Sequence, residues 1–146
     1  MGADGHHPFA RFWLSASAAR AYARSLCAEM HSSFATLRDA MPMNLRAHYV
    51  GHLKTAAVRR EMTLLSEMWQ TCLDRYSGAG PFLFGSFTLA DAFFAPVVMR
   101  FTTYDVELAP PLAADANAVR AQPFVKDWMV CAAFDRHVNP AYDLAH

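Results

Sequence analysis

The stretch Gly85-Ser86-Phe87-Thr88-Leu89-Ala90-Asp91 decides how this chain folds. Thr88 and Asp91 have the spacing of a capping box, with Asp in the position Glu usually takes. The threonine oxygen accepts the Asp91 amide, and the Asp91 carboxylate reaches back to the amide of Thr88. A carboxylate also suits the positive end of the helix that begins there. That helix, Leu89 to about Tyr104, is apolar nearly all round, with Phe93, Phe94, Val97, Val98, Met99 and Phe101. Such a helix belongs at the centre of a bundle. Pro96 lies inside it, deletes one backbone hydrogen bond and predicts a kink. A hydrophobic staple would pair Phe87 with the fourth helical position. That position is Ala92, so the staple is thin unless Phe93 substitutes.

On the N-terminal side, Tyr22, Leu26, Met30, Phe34, Leu37 and Met41 recur every three or four residues. They predict one long amphipathic helix from about Ala16 to Met41, capped by Ser15 or Ser17 and ended by Pro42. A second stripe, Val58, Met62, Leu65, Met68 or Trp69, Cys72 and Tyr76, predicts a helix from about Thr55 to Tyr76. The two form an antiparallel pair. Ser77-Gly78-Ala79-Gly80-Pro81 closes the second helix. On the C-terminal side, residues from about Pro111 to Arg120 form a short alanine-rich helix. Pro123 then opens a last helix that carries Phe124, Trp128, Val130 or Cys131, and Phe134. No period-two alternation and no hairpin signal occurs. The expected fold is all-α, a bundle of about five helices.

Composition narrows the function classes. The chain has 146 residues, 54% hydrophobic and 18% charged, with a formal net charge of zero. That suits one domain with a real core. No basic stripe or polybasic run points to nucleic acid or an anionic membrane. No secretory signal and no membrane-length apolar run occurs. Cys27, Cys72 and Cys131 are odd in number and far apart, so they read as reduced thiols in a cytoplasmic protein, acting as small core hydrophobes.

With the later Pro96 and the order of the helices around it, the Gly85-to-Asp91 stretch resembles the C-terminal domain of the glutathione S-transferases. Glu29-Met30-His31-Ser32-Ser33-Phe34 and Met41-Pro42-Met43-Asn44 are similar to segments of bacterial members. The resemblance runs from about Trp13 to Phe134. It divides the chain into a flexible N-terminal segment 1–12, a helical domain 13–135 and a tail 136–146. In the family, a thioredoxin-like half of roughly eighty residues precedes this domain, binds glutathione and supplies the catalytic group. No strand–helix–strand fits in the residues ahead of the resemblance here. The expectation is therefore a helical half without its catalytic residue: no catalytic residue, no metal and no cofactor of its own, with glutathione implied by the family.

The resemblance also implies a second-substrate pocket. In zeta-type members an arginine of the central helix meets the substrate carboxylate, about one turn beyond Arg100 but on the same face. A guanidinium fork suits a carboxylate. The other reading pairs Arg100 with Asp105, Glu107 or a helix end. Tyr104 follows on the same helix. His31, Phe34 and Arg38 lie a turn apart on the first helix, in the region that faces the thioredoxin-like half. They line the pocket, or else Phe34 packs in the core and the other two are solvated. His48 and His52 have metal-ligand spacing but no third ligand nearby.

Two functions follow. One is a glutathione-transferase-like domain that supplies the hydrophobic, second-substrate side of a transferase or isomerase site and is inactive alone. The other is a free-standing binding or scaffold domain that uses its uncovered former interface along the first and third helices. The partners implied are a small apolar or electrophilic ligand, and a second copy or the thioredoxin-like half.

Overall fold

The computed structural model describes residues 13–52, 54–137 and 139, in six α-helices and no strand. The expected N-terminal segment 1–12 and most of the tail lie outside the described residues.

The sixth helix comes from a break in the first segment. α1 runs Ser17–Ser32 and α2 runs Ala35–Ala40. Phe34 between them has φ 64° and ψ 37°, a left-handed conformation that a bulky residue rarely takes. The apolar stripe does not register this break. Leu26, Met30, Phe34, Leu37 and Met41 are all buried on the same side. Side chains from elsewhere hold the junction. Arg38 donates through both Nη atoms to the backbone oxygens of Met30 and His31, the last carbonyls of α1. Glu61 accepts from the amide of Leu37 at 2.7 Å, at the open N-terminus of α2. Neither Ser15 nor Ser17 caps α1, whose N-cap is Ala16 without a side-chain bond.

α3 spans Ala56–Tyr76, and the Thr55 hydroxyl accepts from Val58 N at 3.2 Å. Its end meets the start of α1, where the rings of Tyr22 and Tyr76 lie 5.0 Å apart. Of the pair Met68 and Trp69, the core takes Trp69, which is fully buried. The turn that follows needs two glycines. A Cβ on Gly80 would sit 2.0 Å from the oxygen of Gly85, and Gly85 itself has φ 84°.

α4, Leu89–Thr103, is the central helix. Ala90, Asp91, Phe94, Ala95, Val97, Val98, Met99, Phe101 and Thr103 are buried. The Thr88 hydroxyl accepts from first-turn amides, including Ala90 N at 3.2 Å. The Asp91 carboxylate accepts from Thr88 N at 2.7 Å, which makes the two residues reciprocal. Helical geometry continues through Pro96. Phe87 packs against two other rings. Its ring meets Phe82 at 5.4 Å and Phe124 at 4.8 Å, so this aromatic group ties the turn to the last helix.

α5, Pro110–Ala121, and α6, Pro123–Phe134, each begin with proline at the first helical turn. α5 packs on α3 and α4, and α6 packs on α5. Of the exposure expected along the first helix and the Leu89 helix, the α1 stripe packs against α4, while α4 keeps Ala92, Phe93 and Pro96 exposed. Among the described residues α1 exposes no large apolar side chain, whereas α6 exposes Phe124, Val130 and Phe134. Cys131 is exposed on α6 and is not a core residue, while Cys27 and Cys72 are buried free thiols. No helix of the described residues is long and apolar enough to cross a membrane.

Candidate functional site

An open cleft of about 480 Å³ lies where α1, α2 and α4 meet. Met30 and His31 of α1 form one side, Arg38 of α2 closes an end, and Arg100 of α4 lies across from them. The floor is the outward face of α4: Leu89, Ala92, Phe93, Pro96 and Val97. This explains why a helix apolar on all sides is not buried on all sides. Ala92, Phe93 and Pro96 are exposed, and they are exposed into the cleft. Pro96 adds a polar feature here, since it has no N–H to give the carbonyl of Ala92 one turn earlier.

The two arginines differ in what they have left to offer. Both Nη atoms of Arg38 are engaged with α1 carbonyls. Among the described residues Arg100 donates through Nε alone, to the carbonyl of Met41 at 2.5 Å. Its Nη atoms remain for a ligand. Burial lowers the pKa of the Arg100 guanidinium, and the charge of Arg38 pushes it the same way. No carboxylate of the described residues pairs with either arginine, so Asp105 and Glu107 are not the partners of Arg100. Two positive charges therefore face a mostly apolar pocket with backbone carbonyls, and no carboxylate among the described residues, as their partners.

The structure separates the five expected pocket residues. His31, Arg38 and Arg100 share the cleft. Phe34 and Tyr104 do not line it. Phe34 turns into the core at the left-handed break, 8% exposed. Tyr104 is fully buried and donates its hydroxyl to the carbonyl of Pro42 at 3.1 Å. Its ring lies against His52 and Tyr49, and burial pushes its pKa up to about 12. Both are structural for a simple reason: each continues an apolar stripe, and the stripe faces inward. His52 sits near the carbonyl of Ala40 and His48 lines a different cleft, so the two imidazoles do not converge. No group of three or more His, Cys, Asp or Glu among the described residues could hold a metal ion.

Among the described residues no hydroxyl or thiol lines the cleft. Burial, followed by the nearby Asp91 charge, pushes the Cys27 thiol up to about 11 and Cys72 up to about 12, so neither is a ready thiolate. What the cleft offers is binding: apolar area plus cationic donors. Sequence reasoning missed Leu89, Ala92, Phe93 and Pro96 as lining residues, because an apolar helix residue carries no sign of whether it meets core or cleft.

Comparison with known families gives one finding. Residues 20–131 match the family described as glutathione S-transferase, C-terminal domain. The chain belongs to that family. No curated protein matches it. The match takes in α2 to α5 whole and most of α1 and α6, so the glutathione S-transferase C-terminal domain includes part or all of every helix described above and all the cleft residues.

Proposed function

We propose that this glutathione S-transferase C-terminal domain supplies the second-substrate side of a transferase or isomerase site, with the α1–α2–α4 cleft as the ligand seat. The observation that carries this is the Arg38–Arg100 pair, which has no carboxylate partner among the described residues, over an apolar floor. It favours a small, largely apolar ligand that carries a negative group. Arg100 provides the free donors and Arg38 the field. The zeta-like reading rests on Arg100 and on the negative charge it would receive. Glutathione is the co-substrate the family implies. The helical domain is inactive alone on this reading, because no nucleophile and no thiol-activating hydroxyl lines the cleft among the described residues. The two buried free thiols fit the reducing cytoplasm.

A fluorescence titration tests the seat. The probes are 8-anilinonaphthalene-1-sulfonate and its uncharged relative N-phenyl-1-naphthylamine. Charge-assisted hydrogen bonds are worth about 1.5–3 kcal/mol, so the sulfonate is expected to bind about tenfold tighter or better. Ala92→Trp fills the cleft from an exposed position and is expected to abolish both. Equal affinities, or binding that survives Ala92→Trp, would sink the proposal. Calorimetry with glutathione is expected to show no binding at micromolar concentration, and heat at that level would overturn the inactivity of the domain alone.

A further inference from the structure

α5 presents Leu112, Asp115, Ala116 and Val119 to the core. Three of these are apolar. The fourth is a carboxyl group that is 1% exposed. Its Oδ2 accepts from the indole N–H of Trp69 on α3 at 2.9 Å. Its Oδ1 is buried and has no hydrogen-bond partner among the described residues. Asp91, in the same core, is the contrast: burial raises its pKa as well, but hydrogen bonds from Thr88 and Leu83 pull against that shift. Its oxygens accept from Leu83 N, Thr88 N and the Thr88 hydroxyl.

Asp115 has one neutral donor where a carboxylate has room for about four. No Arg, Lys or His acts on it. Trp69 of α3 donates to it and a negative charge on Asp91 of α4 opposes a second one, while the Cys72 thiol of α3 feels the Asp115 charge in turn. No titratable group of α6 acts on it among the described residues. An ionised carboxylate at this place would be a buried charge without compensation, which is costly. We infer that the α3–α5 seam is a proton-operated latch, closed on Asp115 as a neutral acid and loosened when that acid gives up its proton.

Burial is the main reason and the Asp91 charge the second. Together they push the Asp115 acid up to about 7, against the weaker pull of the Trp69 bond. The unfolded chain has the ordinary value of about 3.9. Between these values the folded protein holds a proton that the unfolded chain has lost. The stabilisation is therefore complete below about pH 4, declines as pH rises and is gone above about pH 7. Each unit in that window changes the folding constant about tenfold. The latch thus operates close to neutrality, and it sits on the helix that braces the central α4.

Urea unfolding of the wild-type protein and of Asp115→Asn, at pH 5 and at pH 8, tests the latch. From pH 5 to pH 8 the wild-type folding constant should fall about a hundredfold more than that of the variant. Parallel pH dependences would overturn it. Should Asp115→Asn fail to fold, the ¹³Cγ shift of Asp115 in the wild-type protein gives an independent measurement: a midpoint near 7 supports the latch, and one below 5 overturns it. Amide exchange, corrected for its intrinsic pH dependence, distinguishes a local latch from a general loss of stability. Extra opening at pH 8 should concentrate in α5, and an equal increase in all six helices would refute a latch at this seam.

Discussion

At Asp91 a single carboxylate serves two stretches of chain. Oδ2 takes the amide and hydroxyl of Thr88, and Oδ1 takes the amide of Leu83 in the preceding turn. The spacing of Thr88 and Asp91 made the first role legible, because a capping box is a local pattern. The second was not legible, since the path from Leu83 depends on a turn closed by Gly80 and Gly85 and not on any periodic signal. The link changes the expected cost of losing the side chain. A cap alone is worth about 1 kcal/mol. Removing this buried acceptor leaves the amides of both Leu83 and Thr88 unsatisfied, at about 1–3 kcal/mol each. Asp91→Ala is expected to lower the unfolding free energy by about 3–5 kcal/mol in urea denaturation. A loss near 1 kcal/mol would mean that the Leu83 bond contributes nothing.

The elements show where the sequence pattern stops being informative. Helices α3 to α6 begin and end within a residue or two of their signals, because Thr55, Thr88, Pro110 and Pro123 mark their starts chemically. The α1–α2 break has no such mark. Ser32-Ser33-Phe34 contains neither Gly nor Pro, and the apolar stripe passes through it unchanged. What decides the break is tertiary: Arg38 folds back on the end of α1, and Glu61 reaches across from α3 to the start of α2. These contacts also place Arg38 at the cleft, so half of the candidate site depends on them. α2 has only six residues and cannot stand by propensity alone. Glu61→Ala is accordingly expected to release α2 first. Amide exchange at Leu37 should rise about tenfold or more, the equivalent of about 1.4 kcal/mol, with little change in the exchange of α4. Equal rises in both helices would show that Glu61 acts on global stability and not on this junction.

Across the whole molecule, burial is unevenly shared, and the cleft lies at the well-anchored end. α4 buries nine residues between α1 and α5, whereas α6 buries only Val125. Besides its packing on α5, α6 is held by the Phe87–Phe124 ring contact and by Arg46, which donates to the carbonyls of Asp135 and His137. Phe134 stays 81% exposed at its end. Local opening free energies follow buried apolar contact, so α6 should be the first helix to open and α4 among the last. Native-state exchange at increasing urea is the measurement. The α6 amides are expected to exchange through a subglobal opening several kcal/mol below global unfolding, and the Val97–Phe101 amides only with the whole molecule. Because the cleft draws on α1, α2 and α4 but not on α6, a bound ligand should raise protection in the former and leave α6 unchanged. Protection that rises equally in α6 would mean that the last helix is coupled to the cleft through the core, beyond what its anchoring by α5, Phe87 and Arg46 implies.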